Sequence, residues 1–416
     1  MRKISFILLI QFLCIFCTAQ GEREKSWLMD IDFLLSEIKK QHYVYKNKEL
    51  PESMIKQFKI VKENILRFSD ERILIELQRA MFHLGDGHCY VLPFGADKVP
   101  AHYLPLHFYE FSDGMYVIDA TEKYQHLIGM KVIKIGKYTI EKMMEDMYHF
   151  ISQDNAMGPK WIGPFFLRFR GLLEAYALTR GSSEVFIQFE SKNKRKFNQQ
   201  VSFIPVPRLR GIPKMTTPKM VPAPLYLSQV HRAYWLKSIP EKKALYWQFN
   251  QVMNEENEDI LKFSKKLDST LTTQKPHLLI IDVRHNNGGN GELRHPLLAV
   301  IKKYEQTQKG KIVVITGRNT FSAAQIFITY IDKETNAVFA GEPSSSKPNF
   351  VGEDNEIILP NCGALVSISN RYHENNKGDS RHWIEPDLPV TTTSKDYYEG
   401  NDPVLETIFK KYLSNQ

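Results

Sequence analysis

The residues able to do chemistry in this chain concentrate between Lys311 and Phe350. A β-branched run, Ile312 to Thr316, ends at Gly317, a short polar turn follows, and Ser322 stands directly before the apolar helical pattern Ala323 to Tyr330. A second apolar run, Ala337 to Ala340, leads into a loop that carries Lys347. A serine hydroxyl attacks a carbonyl only when a base removes its proton. Lys347 lies 25 residues beyond Ser322, a spacing that one helix, a crossing strand and a return loop would fill. A lysine acts as a base only when neutral, so burial must bring it several units below its reference pKa of about 10.4. Its neighbours Ser344, Ser345, Pro348 and Phe350 carry no charge of their own. The alternative is an exposed loop lysine with no catalytic part.

An acyl intermediate also needs donors for its oxyanion. The backbone N–H of Ala323 opens the helix after Ser322 and is one candidate. A second would come from the loop Asn287-Gly288-Gly289, where absent side chains let a substrate approach. Gly288 is the first choice and Gly289 the second, against the alternative of a plain Asn-Gly turn. On the strand reading YWQFN, Gln248 and Asn250 either point into the cleft or are polar residues of a half-exposed strand. Trp161, Phe165, Phe166, Phe169 and Tyr176 either line a peptide channel or pack in the core. Asp282 and Arg284 read as an architectural pair at a strand end. No GxSxG elbow surrounds Ser322, which argues against an ester or lipid hydrolase of that type.

These residues need a scaffold. Residues 25 to 84 repeat apolar side chains at helical spacing: Trp27, Leu28, Ile31, Leu34 and Ile38, then Met54, Phe58, Val61 and Ile65, then Ile73, Leu74, Leu77 and Met81. Ser69 is the expected N-cap of the third helix and Gly85-Asp86-Gly87 its stop. Residues 93–205 alternate as strands around Ser112-Asp113-Gly114 and Gly136-Lys137, with an irregular to helical insertion at 147–180 and a closing hairpin at 184–203. Six prolines between 205 and 224 suggest a linker over 206–230. From 231 to 416 strands alternate with helices (244–249, 259–271, 278–281, 294–304, 364–368 and 403–412), which predicts a mostly parallel sheet covered on both faces. Ser322 and the 286–291 loop then fall at strand C-terminal ends, where sites in such sheets gather.

Composition limits the partners. The formal charge of +8 is mild for 416 residues, and the basic cluster Lys192, Lys194, Arg195 and Lys196 reads as a solvated hairpin tip rather than a nucleic-acid patch. Arg2 and Lys3, the apolar run Ile4 to Cys17 and the small residues Thr18 and Ala19 make residues 1–20 a candidate export signal. That run is shorter than the roughly 20 residues of a membrane span, so no stable span is expected in the mature chain. Cys89 and Cys362 are free to pair or stay reduced. No CxxC or HExxH pattern supports a metal, and no cofactor is expected.

The motifs together resemble the S41 peptidases, the tail-specific or C-terminal processing serine proteases with their tricorn-like relatives. Gly85-Asp86-Gly87-His88 resembles the family's DGH after a helical cap. Gly129 to Gly136 is similar to the end of its PDZ-like domain. Asp282 to Gly289 resembles D-L-R-x-N-G-G-G, and Thr320 to Phe327 resembles S-A-S-A-S-E-I-F, with Ser322 on the nucleophile. Gly341-Glu342-Pro343 and Lys347 match G-E-P-T-x-G-K with the family's own Ser-to-Lys spacing. Glu385-Pro386-Asp387 and Asp402-Pro403 match its closing P-D and D-P.

The resemblance implies a helical cap at 21–92, a PDZ-like β-rich domain at 93–205 and an α/β catalytic domain with a ClpP/crotonase-like core at 231–416. It implies an exported serine endopeptidase of the periplasm or cell envelope that cleaves peptides or unfolded protein tails through Ser322, with Lys347 as base. Tricorn-like relatives use a histidine instead, which makes His88 the alternative base, or else a structural tie between cap and sheet. Departures from the pattern are Asn287, Phe321, Gln325, Ser345 and Ser346. They suit a second reading, a catalytically degenerate peptide-binding protein on the same fold.

Overall fold

The computed structural model describes residues 2–96, 98–179, 181–206 and 223–413, with side chains from residue 20 to 412. Six strands form the sheet that carries Ser322, in the order Tyr234–Ile239, Ala244–Phe249, Leu278–Asp282, Lys311–Thr316, Val338–Gly341 and Leu388–Pro389. The first pair is antiparallel and every later pair parallel. Its central strands are apolar at nearly every position because both faces are covered. Leu279, Ile281, Ile312 and Val314 pack beneath the helices Ile260–Gln274, His295–Gln308 and Ala323–Glu334. Leu278, Ile280, Val313 and Ile315 face the other way and meet Val404, Leu405 and Ile408 of helix Pro403–Leu413.

Residues 106–202 build a second, antiparallel sheet of Leu106–Phe111, Gly114–Ala120, Lys131–Ile135, Glu184–Glu190 and Lys196–Ser202. The insertion between its third and fourth long strands is largely helical, with Met157–Phe166 and Arg170–Ala175 following Ile140–Met147. Phe150, Phe165, Phe166 and Leu172 from this stretch share one apolar core with the sheet, so the segment is fixed by burial rather than draped over it. Of the expected linker, 207–222 lies outside the described residues. Its last turn, Leu225–Ser228, is a short helix whose Tyr226 and Leu227 are buried against Phe111 and Tyr397.

The N-terminal helices are Arg2–Gln41, Glu52–Asn64 and Asp70–Met81. Ser69 caps the third, its Oγ accepting the Arg72 N–H at 3.1 Å, and Gly85 ends the following turn at φ 79°. Their apolar faces do not close on themselves. Leu359, Cys362, Val366 and Ile368 complete the cluster together with Cys89 and Val91. Those residues belong to a hairpin, Phe350–Ile358 and Leu365–His373, which pairs with Tyr90–Val91 in a separate antiparallel sheet.

The strand expected at 364–368 is therefore not a member of the parallel series. Only a short turn separates it from its predecessor, and a parallel partner would need a crossover of a dozen or more residues. Cys89 and Cys362 are both buried and unpaired. Among the described residues no helix is long and apolar enough to cross a membrane. The loop carrying Lys347 thus leaves the large sheet and enters the small one, where it meets the loop carrying His88.

Candidate active site

Ser322 stands between strand Lys311–Thr316 and helix Ala323–Glu334 with φ 53° and ψ −124°. An L-residue with a side chain is strained there, at a cost of roughly 1–3 kcal/mol. The surrounding bonds impose it. Thr320 N–H donates to Gly317 O at 2.8 Å, Thr320 Oγ1 to Val283 O at 2.9 Å and Phe321 N–H to Asn286 O at 3.1 Å. The turn is tied to the end of the neighbouring strand and to the glycine loop, so Ser322 cannot relax without breaking them. Its hydroxyl makes no hydrogen bond among the described residues.

Ser322, Phe321, Ala323, Gly289, His88 and Ser345 share the wall of one cleft of about 1110 Å³. Gly288 lies behind that wall. It has φ 109°, and a Cβ there would sit 2.7 Å from Ser322 Cβ and 3.0 Å from Ala323 N. Its N–H already donates to Asn286 Oδ1 at 3.0 Å, and its carbonyl accepts from Val252 N–H at 2.8 Å. Gly288, the first choice as an oxyanion donor, is thus a spacer whose N–H is used. The N–H groups of Gly289 and Ala323 have no hydrogen-bond partner among the described residues, and both residues face the cleft.

His88 is 3% exposed and lies between two phenyl rings. Its imidazole stacks on Phe321 with centroids 4.4 Å apart and on Phe350 at 5.3 Å. Neither ring nitrogen has a partner among the described residues. Burial pushes the imidazole down to about 4, against the opposing charge of Asp86, so at neutral pH it is uncharged and can accept a proton. Its backbone is held by Asp86, whose Oδ1 accepts the N–H groups of His88 and Cys89 at 3.0 and 2.9 Å.

Asp86 also accepts from His42 Nε2 at 2.9 Å and Ser369 Oγ at 2.6 Å. His42, Asp86 and Cys89 bring ligand atoms within 4.8 Å of one another. Those atoms are already bound, because His42 Nδ1 accepts two backbone N–H groups at 3.2 and 3.3 Å and Cys89 Sγ lies 3.4 Å from Ser369 Oγ. The group is a satisfied buried network.

Lys347, expected as the base, is half-buried but is not a wall residue of the cleft that holds Ser322. It makes no hydrogen bond or ion pair among the described residues, and its charge acts on Asp154. Gln248 and Asn250 do not point into the cleft. Both are fully buried. Gln248 accepts from Trp235 Nε1 and donates to Tyr226 O, each at 2.7 Å, and Asn250 Nδ2 donates to Arg232 O at 2.9 Å. The residue that does reach the cleft from this edge is Gln251. Trp161, Phe165 and Phe166 line the cleft, while Phe169 packs on Phe94 at 5.7 Å and Tyr176 bonds Asp146 at 2.9 Å.

One departure from the expected motif, Gln325, is accommodated by its neighbours. Gln325 Oε1 accepts from Ser344 Oγ at 2.6 Å and its Nε2 donates to Thr329 Oγ1 at 3.1 Å, all three side chains being buried. A neutral amide fits that enclosed site where a carboxylate would need a counter-charge. Two ion pairs brace the frame. Arg284 bonds Asp282 at 3.0 Å and grips Asp402 with both terminal nitrogens, at 3.1 and 2.9 Å. Arg318 holds Glu342 through Nε and one terminal nitrogen, at 2.9 and 2.7 Å. Burial alone would raise the Glu342 carboxyl, but Arg318, with Lys160, holds it down to about 2.

Residues 291–390 match the sequence model of Peptidase family S41. No curated protein sequence matches the chain. Among solved structures the chain superposes on mature CPAF complexed with lactacystin with a TM-score of 0.66 at 14% identity, covering 94% of this chain and 98% of that one. Mature CPAF alone gives 0.64 at 13% identity, with 93% and 97% covered. At this identity the likeness is one of fold, and it extends over the N-terminal helices and both large sheets.

Proposed function

We propose that the chain is a serine-type peptidase of family S41, whose sequence model matches residues 291–390, with Ser322 as its nucleophile, His88 as the base and the N–H groups of Gly289 and Ala323 as the oxyanion donors. Attack by Ser322 Oγ on a peptide carbonyl forms the acyl-enzyme. The imidazole takes the serine proton and returns it to the leaving amine, and water then releases the acyl group by the reverse sequence. The observation that carries this reading is the backbone of Ser322. A serine held at φ 53° beside two unpartnered N–H groups on one cleft wall is strain kept at a reacting atom. The His88 to Ser322 hydrogen bond is not made in the unliganded chain, and catalytic hydrogen bonds commonly tighten only with substrate bound.

Peptides or unfolded protein tails are the substrates this reading implies, with Trp161, Phe165 and Phe166 on the cleft wall offering apolar contact. The β-rich sheet at 106–202 is read as the PDZ-like domain, and residues 1–20 as an export signal that directs the chain to the periplasm or cell envelope. A second reading keeps Lys347 as the base. Its favouring observation is an amine in a half-buried loop with no ion pair among the described residues.

The test is proteolysis of an unfolded protein by the wild type and by Ser322→Ala, His88→Ala and Lys347→Ala. Loss in Ser322→Ala and His88→Ala with Lys347→Ala within a few-fold of wild type is expected. Loss only in Ser322→Ala and Lys347→Ala would move the base to Lys347, and unchanged cleavage by Ser322→Ala would sink the nucleophile. A fluorophosphonate probe, and lactacystin (the compound present with mature CPAF), should both modify or occupy Ser322. A folded chain that neither cleaves nor labels would be the degenerate binder.

A further inference from the structure

The helical insertion at 147–180 brings one buried carboxylate to the junction of the two loops that carry the candidate bases. Asp154 is 7% exposed. Its Oδ1 accepts the Gly87 N–H at 2.9 Å, and Gly87 immediately precedes His88. Its Oδ2 accepts from Ser346 Oγ at 2.5 Å, and Ser346 immediately precedes Lys347. The next residue continues the attachment, with Asn155 Nδ2 donating to Ser344 O at 3.1 Å and His382 O at 2.7 Å. Gly87 is also pressed against the nucleophile turn, since a Cβ there would meet the Phe321 ring at 3.0 Å and Asp154 N at 3.3 Å. The carboxylate, the His88 loop and the Phe321-Ser322 turn therefore form one packed unit, with the Ser346 loop fastened on its far side.

We propose that Asp154 is a positioning residue for the Ser322 reaction, its ionised carboxylate holding the His88 loop in register with Phe321 and Ser322. The proposal rests on Ser322 and His88 acting as described above. Only the ionised form can accept on both oxygens without carrying a proton of its own. The charged groups that act on this carboxylate are Asp86 on the first loop and Lys347 on the second. Burial, helped by the charge of Asp86, pushes Asp154 up to about 6, against its hydrogen bonds and the charge of Lys347. Its ionisation therefore falls in a range where activity can follow it.

The experiment compares wild type, Asp154→Asn, Asp154→Glu, Asp154→Ala and Ser322→Ala on an unfolded protein substrate, with kcat and KM measured across pH. Asparagine can keep both hydrogen bonds, accepting from Gly87 and donating to Ser346 Oγ, so it separates the charge from the scaffold. The expected result is a fall in kcat of about tenfold for Asp154→Asn near neutral pH, with KM within about twofold. The ratio of wild type to Asp154→Asn should shrink as pH falls through about 6, because the wild type then loses its charge as well. Asp154→Glu should recover part of the loss, and Asp154→Ala should be the weakest of the Asp154 variants.

Equal kcat and an unchanged pH profile for Asp154→Asn would overturn the proposal while leaving Ser322 and His88 in place. Full activity of Ser322→Ala would overturn the reading on which it rests. If Asp154→Ala does not fold, Asp154→Asn still decides the matter.

Discussion

The imidazole of His88 lies 4.4 Å from the phenyl ring of Phe321, 25° from parallel, and Phe321 is the residue directly before Ser322. The candidate base and the candidate nucleophile are thus joined through a stacked pair rather than a hydrogen bond. The stack keeps water from the imidazole, and that desolvation is what depresses its pKa.

Phe321→Ala should open this contact. His88 is then better hydrated, and its pKa should climb from about 4 toward the ordinary value of 6.5. The imidazole would be protonated over part of that interval, where in the wild type it is neutral. Titration of the His88 ring protons by NMR reads this directly. A midpoint unchanged from wild type would show that Phe321 does not control the hydration of His88.

Ser322 should carry measurable strain. At φ 53° glycine is at ease and alanine is not. Ser322→Gly and Ser322→Ala both lack the hydroxyl, so both should be inactive, yet the glycine variant should be the more stable by about 1 kcal/mol. Denaturant midpoints of the two inactive proteins provide the comparison. Equal stability would mean that the backbone relaxes when the serine is removed.

Gly288→Ala should damage the site without touching a reacting group. The new methyl would lie 2.7 Å from Ser322 Cβ, and the backbone would keep a φ of 109° that alanine resists. The expected outcome is loss of fluorophosphonate labelling at Ser322 together with a destabilisation of about 1–3 kcal/mol. Labelling at the wild-type rate would show that the loop can retreat from the nucleophile turn.

Much of this site could be read from residue types because its parts are local. Ser322 follows a β-branched strand and opens a helix, and both elements form as their periodicity predicts. Arg284 and Asp402 were marked by motifs far apart in the chain, and the structure joins them in one bidentate pair. What could not be read were choices that depend on long-range packing. Gln248 and Asn250 look like cleft residues on an alternating strand, but the helix at Leu225–Ser228 and the turn before Tyr234 cover them and take their hydrogen bonds. Gly288 and Gly289 are alike in sequence, and only the Asn286 side chain decides which N–H is left open. The lone signal for Asp154 was a polar trio, Gln153-Asp154-Asn155, ahead of an aromatic stretch, with nothing to say that it would reach His88 from 66 residues away.

Asp154 should also set a pH dependence of stability opposite to that of most carboxylates. Its folded-state pKa of about 6 lies above the reference value of 3.8, because burial disfavours the charged form. A group whose pKa is raised by folding contributes fully below its unfolded value and loses that contribution as pH rises through the folded value. From this residue alone, stability should therefore decline between 3.8 and about 6, by on the order of 3 kcal/mol. Asp154→Asn cannot ionise and keeps two hydrogen bonds, so it should remove the decline and be the more stable protein near neutral pH while being the slower enzyme. Melting temperatures of the wild type and Asp154→Asn, measured below and above this interval, test the point. The difference between them should widen with rising pH, and a difference that stayed constant would mean that Asp154 is not buried in its charged form.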